Sequence, residues 1–233
     1  MLVRNYLATT GQRQILVTIS ANVRSPNIAA LATALGWNGS QLIQVTINSG
    51  VDVASLSISG IGANLLHVIN NGRIGGVANS GTGLYTRTPI RITNNGTIFG
   101  GGGQGGLGGL TRFGYGSGWA AECRGGGGGT GAGFNNSGTL AFMNATAGSA
   151  GESAAYTGAT FPGDTQPAGD GGVGGTGGSI GQPGTAGSAG SVSGSASDVV
   201  ITPGESGQLA GYYVDGNAYI SWHATGTRLG RVI

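Results

Sequence analysis

The chain has 233 residues, 53 of them glycine, and only 8% are charged, against roughly a quarter in an ordinary globular domain. All ten basic residues are arginine and the formal net charge is +2, which excludes the clustered basic footprint of a nucleic-acid binder. The single cysteine, Cys123, excludes an intrachain disulfide framework.

The opening "MLVRNYLATTGQ" lacks the basic-then-apolar layout of a secretory signal, and no apolar run approaches the ~18 residues of a membrane helix. The expectation is a soluble chain synthesised in a bacterial host cytoplasm. Residues 1–99 read as a small β module with one short helix. "QILVTISA" alternates Ile15, Val17 and Ile19 on one face, the period of a half-buried strand. "SPNIAALATALG" then predicts a helix with Ser25 as N-cap, Pro26 at its first position and Gly36 as its stop. Its apolar face would carry Ile28, Leu31 and Leu35. After a turn at Asn38-Gly39, Ile43, Val45, Ile47, Val51 and Val53 alternate again, and Trp37 is expected to cap this core.

A repeat follows. "VINNGRIGG" (68–76), "RITNNGTIFGG" (91–101) and "FNNSGTLAF" (134–142) share the order apolar, Asn-Asn, turn, apolar. The Asn-Asn-Gly runs are expected to supply left-handed turn angles. Repeats of this kind stack, each unit burying its neighbour's face, and stacked asparagines predict hydrogen-bonded ladders.

Residues 100–211 hold 38 of the glycines. Between 169 and 190 a glycine falls at every third position, with further glycines at 171, 174 and 177. A mobile linker needs no period. Two helices have three residues per turn, collagen and the extended polyproline-II type. Collagen demands abundant proline, and the periodic stretch has only Pro183. The alternative is a bundle of polyglycine-II helices. Doubled glycines then let one helix face two neighbours, and main-chain hydrogen bonds between helices replace the internal ones that an extended helix lacks. Three inserts interrupt the glycine blocks: 110–124, 134–147 and 152–168. The last segment, 212–233, reads as a closing hairpin with a turn at Asp215-Gly216, its Tyr212, Tyr219 and Trp222 packing against the glycine bundle.

The strings "VTINSGVDVAS", "ITNNGTIFGGGGQGGLGG" and "GYYVDGNAYISWHATGTRLGRV" resemble the glycine-rich receptor-binding tips of bacteriophage tail fibres, both the distal adhesins of T-even-type phages and the tip modules of siphophage host-specificity proteins. The resemblance covers 14–109 and 205–232. It implies polyglycine-II helices packed in a layered core, with variable inserts forming a distal surface that touches the host. It also implies a location on the virion, at the tail tip or fibre.

Catalytic signals are weak. There is no Walker lysine, and the two histidines, His67 and His223, stand far apart. Gly101-x-Gly103-x-x-Gly106 matches a dinucleotide pattern without the following helix. Asp170 in "GDGGVGG" stands alone as a calcium ligand, and Cys123 has no metal partner by spacing. Neither a cofactor nor a metal is expected. A depolymerase would need two converging carboxylates, for which Glu122, Glu152, Asp164 and Asp170 are the candidates. Binding chemistry is richer: Arg112, Phe113, Tyr115, Trp119 and Arg124 in the first insert, with Tyr156 and Phe161 in the third, have the composition of a loop-built binding surface.

The expectation is therefore a mainly β, non-enzymatic tail-tip adhesin. It has an N-terminal attachment or oligomerisation module (1–99), a polyglycine-II core carrying receptor-binding inserts (100–211) and a closing hairpin (212–233). Its partners would be a bacterial outer-membrane protein or a surface polysaccharide, and other phage tail proteins, with the chain either a homotrimer or mounted on a trimeric fibre. The rival expectations are a purely structural fibre or assembly protein and a tail-associated depolymerase.

Overall fold

The computed structural model describes residues 14–233, so the segment read above as lacking a signal layout lies outside the described residues. The fold is mainly β, with several sheets and one short helix. The chain starts by winding in coils. The first coil supplies β1 (Ile15–Ile19) and β2 (Val23–Arg24), then α1 (Ile28–Ala34). The second supplies β3 (Ile43–Ile47), β4 (Asp52–Ala54) and β5 (Leu56–Ile58). The third supplies β6 (Leu66–Asn70), β7 (Arg73–Gly75) and β8 (Leu84–Thr86). The fourth begins with β9 (Ile90–Asn94) and β10 (Thr97–Phe99).

Here the glycine-rich region leaves the coil. It carries β11 (Thr111–Tyr115), β12 (Trp119–Cys123), β13 (Gly133–Phe134), β14 (Phe142–Met143), β15 (Ser153–Ala155), β16 (Ala168–Asp170), β17 (Ser191–Ser193) and β18 (Ser197–Ile201). The chain then completes the fourth coil with β19 (Tyr212–Asp215), and a fifth follows as β20 (Ile220–Ala224), β21 (Thr227–Leu229) and β22 (Arg231–Val232). Corresponding strands of successive coils pair in parallel, giving sheets ordered β1-β3-β6-β9-β20, β2-β4-β7-β10-β21 and β5-β8-β19-β22.

This topology corrects the closing hairpin. β19 and β20 do not pair with each other; they join different parallel sheets. Gly216 does turn the chain, with φ +110°, but into a coil corner, and a side chain there would meet the Thr86 carbonyl. Trp222 packs on the core of the coils and donates from Nε1 to Asn217 Oδ1 at 2.9 Å, while Tyr219 is exposed. The residues expected to close the glycine bundle belong to the coils instead.

The coils bury the alternating side chains read from the sequence: Ile15, Val17, Ile19, Ile43, Val45, Ile47, Val51 and Val53 all lie inside. Trp37 packs against them and donates from Nε1 to the Gln41 carbonyl at 2.9 Å. The helix differs from expectation by two residues. Its N-cap is Asn27, whose side chain accepts from Ala30 N, because Ser25 adopts a left-handed φ of +44° before the helix begins. Its buried face is Ile28 and Ala32, one turn apart, so Leu31 and Leu35 are exposed.

The first two Asn-Asn-Gly repeats stack as predicted. Asn70 Nδ2 donates to Asn94 Oδ1 at 2.7 Å inside, and Asn95 Nδ2 to Asn71 Oδ1 at 2.9 Å outside. None of these asparagines has a left-handed φ, however. The glycine is demanded by crowding: a methyl on Gly96 would lie 2.0 Å from the Gly72 carbonyl oxygen. The third repeat does not join the ladder. It forms the antiparallel pair β13–β14, and Asn135 Oδ1 accepts from Arg24 at 2.9 Å.

In the glycine region, extended segments outside the sheets bond main chain to main chain at a step of three residues. Gly102, Gly105 and Gly108 donate to Ala132, Gly129 and Gly126; Gly172, Gly175 and Gly178 donate to Gly109, Gly106 and Gly103. The doubled glycines face two neighbours. Methyls on Gly105 and Gly106 would sit 2.0 and 1.9 Å from the carbonyl oxygens of Gly175 and Glu205, which belong to different segments.

Candidate functional site

The first and third inserts meet at the end of these glycine segments. Thr111 and Cys123, at the base of the β11–β12 hairpin, are buried against the strand that follows the third insert. Thr111 Oγ1 donates to the Asp170 carbonyl at 2.9 Å and Cys123 Sγ to that of Gly169 at 3.2 Å. Burial pushes the Cys123 thiol above its ordinary range, so it sits there as a neutral packing group. Phe113 completes the anchor, 1% exposed, with its ring where a side chain on Gly169 would otherwise stand.

Beyond the anchor the aromatics form one chain of contacts. Phe113 and Trp119 have centroids 5.3 Å apart, Trp119 and Tyr156 5.3 Å, Tyr156 and Tyr115 4.8 Å, and Tyr115 and Phe161 5.8 Å. Most of these are the edge-to-face or tilted packings that aromatic quadrupoles prefer. The Tyr115 hydroxyl fastens the two inserts, donating to Asp164 Oδ2 at 3.2 Å and accepting from Phe161 N at 2.5 Å.

Seven residues were singled out as contact candidates, and the structure separates them. Phe113 and Tyr115, the latter 7% exposed, are buried and cannot offer their ring faces outward. The reason is geometric: on β11 they alternate with Arg112 and Gly114, so they share the face that packs inward. Trp119 and Tyr156 are half-buried at the rim, and Phe161 is 65% exposed. Arg112 and Arg124 are exposed and flank Glu122, at 3.6 and 3.7 Å from its carboxylate. The main-chain N–H of Arg124 also donates to Glu152 Oε2 at 3.0 Å. Glu122 and Glu152 thus both engage Arg124.

Sequence reasoning missed the third wall. β18, from far along the chain, pairs antiparallel with β11 and leaves Val199, Val200 and Ile201 exposed. Asp198, at a left-handed φ of +49°, and Val200 join Arg112, Gly114 and Trp119 around a groove of about 390 Å³. The one available signal was an apolar Val-Val-Ile run emerging from a serine-rich stretch. The arrangement can hold a ligand against an apolar floor and rim, with a guanidinium and a carboxylate at its margins.

The family model of the phage tail fibre adhesin Gp38 matches residues 14–233. The chain belongs to this family. It is thus a tail fibre adhesin, a component of the phage tail. A similar solved structure is the gp37–gp38 adhesin tip complex of the bacteriophage S16 long tail fibre, with 19% sequence identity and a TM-score of 0.49, covering 95% of this chain and 83% of that one. None of the curated proteins matches the chain.

Proposed function

We propose that this adhesin acts at the fibre tip, recognising a bacterial outer-membrane protein by non-covalent docking of its inserts. The contact surface is Trp119, Tyr156 and Phe161 with Arg112 and Arg124, while Phe113 and Tyr115 hold those residues in place from beneath. The observation that carries this reading is the convergence of two inserts and β18 on one exposed aromatic and arginine surface, rooted on a hydrogen-bonded base. Aromatic and arginine anchors with small neighbours are the chemistry of protein recognition surfaces.

We further infer that the glycine segments are polyglycine-II helices. The three-residue bonding step and the two-sided crowding of doubled glycines support this. Such a base is stiff, so the inserts lose little conformational freedom on binding. The coils serve as the mounting module. Their three-sheet cross-section suits seating on a further tail protein, in keeping with the two-protein complex of the S16 fibre. No catalytic step is assigned: Glu122 and Glu152 engage Arg124, not each other across an open cleft.

The test is adsorption. Trp119→Ala combined with Phe161→Ala, in protein of unchanged melting temperature, should reduce capture of purified host outer-membrane protein by at least about tenfold. Undiminished capture removes the insert surface from the function. Release of oligosaccharide from host polysaccharide would instead establish the depolymerase reading.

A further inference from the structure

The two histidines are brought together on the outer face of the first sheet. His67 on β6 and His223 on β20 lean over the strand between them, β9, until their ring centroids are 5.6 Å apart. His67 Nε2 lies 2.9 Å from Thr93 Oγ1 on β9. Arg91, two residues before that threonine, is the register partner of His67 and points outward between buried Ile90 and Ile92. It makes no ion pair among the described residues, and its Nε is buried without a hydrogen-bond partner.

Among the described residues, this sheet carries no counter-charge. The five strands of this sheet, ILVTI, IQVTI, LHVIN, IRITN and ISWHA, contain no carboxylate. The outward neighbours Gln44, Thr46 and Ser221 are neutral, so among the described residues the titratable and charged groups on this face are His67, Arg91 and His223. Elsewhere among the described residues, Arg73 pairs with Asp52, Arg87 with Asp215, and Arg112 and Arg124 with Glu122; Arg24 and Arg231 lack an ion pair but donate to Asn135 and to the Tyr212 hydroxyl, and Arg228 lies over the Trp222 ring. One guanidinium, two imidazoles and the Thr93 hydroxyl that His67 engages thus gather on one face, with Arg91 Nε left without an acceptor.

We propose that Arg91, His67, His223 and Thr93 form a binding site for a tetrahedral oxyanion of the phosphate class. A phosphate accepts from several donors at once, and a guanidinium and imidazolium donate charge-assisted hydrogen bonds to it. A divalent metal held by the two imidazoles is the rival occupant, and the fixed positive charge of Arg91 opposes it. Burial, and then the charges of Arg91 and His223, hold His67 below the usual imidazole range. A bound anion reverses the charge part of that effect, so binding strengthens as pH falls. The phosphate can come from solution or from the phosphorylated glycolipid of a bacterial outer membrane.

The experiment follows the histidine ring resonances of the full chain by NMR during titration with inorganic phosphate at about pH 6 and about pH 7.5. Both rings should shift saturably, and more tightly at the lower pH. Arg91→Gln should weaken binding about tenfold, the loss of one charge-assisted contact. His223→Gln, at an exposed position, should weaken it several-fold and carries the test should Arg91→Gln fail to fold. In a second arm, vesicles bearing phosphorylated lipopolysaccharide that outcompete dephosphorylated ones identify the membrane as the source, and equal behaviour with free phosphate still binding identifies the dissolved ion. Rings that ignore phosphate at both pH values, a titration unchanged in both variants, or a response to zinc ions in place of phosphate would each overturn the site.

Discussion

Gly127 and Gly128 are adjacent, both lie in the glycine segments and both have ordinary φ angles, yet alanine should act on them in opposite directions. A methyl on Gly127 meets only Ser149 Oγ, at 3.6 Å, an ordinary contact. On Gly128 it would lie 1.8 Å from the Gly105 carbonyl oxygen and 2.5 Å from the carbon, both under the 3.0 Å that real methyl contacts keep, the oxygen by more than an ångström. Both are main-chain atoms, so the segment itself must move. Three hydrogen bonds tie these two segments: Gly108 to Gly126, Gly105 to Gly129 and Gly102 to Ala132, at 2.7–2.9 Å. At about 0.5–1.5 kcal/mol each, their loss costs roughly 2–4 kcal/mol. Both substitutions recover the same entropy from the unfolded chain, about 0.4–1 kcal/mol. Gly127→Ala should therefore be neutral or slightly stabilising, and Gly128→Ala should lower the melting temperature by roughly 5–12 °C for a chain of this size. Differential scanning calorimetry of the two variants decides it. Equal effects of either sign would refute the claim that main-chain proximity, rather than glycine content, holds the segments together.

The asparagine ladder gives a second paired test: Asn94→Ala leaves one N–H of buried Asn70 unpaired and removes a donor to the Thr225 carbonyl, so it should cost about 2–4 kcal/mol by chemical denaturation, whereas Asn95→Ala on the exposed rung should cost under about 1 kcal/mol. Phe113→Ala should destabilise by about 3–5 kcal/mol in the same assay, as loss of a buried anchor, whereas Phe161→Ala should leave stability within about 0.5 kcal/mol and reduce receptor capture. The folded state holds His67 below its unfolded proton affinity, so its contribution is present above the unfolded value and is lost as pH falls through the folded one. The melting temperature should decline as pH falls below about 6.5 in phosphate-free buffer, and His67→Gln should flatten that decline. Native Cys123 should resist thiol reagents at neutral pH and react promptly once the chain is unfolded.

Local rules made much of the coils readable. Period-two alternation identified the buried faces of β1, β3 and β4, because one face of each strand lies in the core and a one-residue slip would expose it. The stacking of the first two Asn-Asn-Gly repeats was legible for the same reason: identical units at similar spacing meet in register. What stayed hidden depended on the path of the chain between distant segments. Asp215-Gly216 resembles a hairpin turn in isolation, and only the presence of β8 and β9 as parallel neighbours makes it a coil corner. The helix cap shifted from Ser25 to Asn27 because the strand-to-helix bend consumed Ser25. In the site, composition identified the aromatic inserts, but alternation along β11 decided which rings face in, and that needs the location of the inner face. Val199–Ile201 and the histidine pair were unreadable, since both arise from contacts between segments far apart in the chain.

The position of the glycine region in the fold bears on how a binding surface can vary. It departs after β10 and returns at β19, within one coil, so both of its ends are fixed by parallel pairing to neighbouring coils. Its glycine segments are held by main-chain bonds and close approach, which depend on the absence of side chains and not on the identity of large ones. The inserts between them contribute side chains chiefly to one another, through the aromatic contacts and the Tyr115 hydroxyl. Substitutions at exposed insert positions such as Phe161 therefore alter the outer surface without touching the bonds that hold the base. Substitutions at the close-packed glycines do the reverse. The physical separation of these two sets of contacts allows one scaffold to tolerate many different outer surfaces.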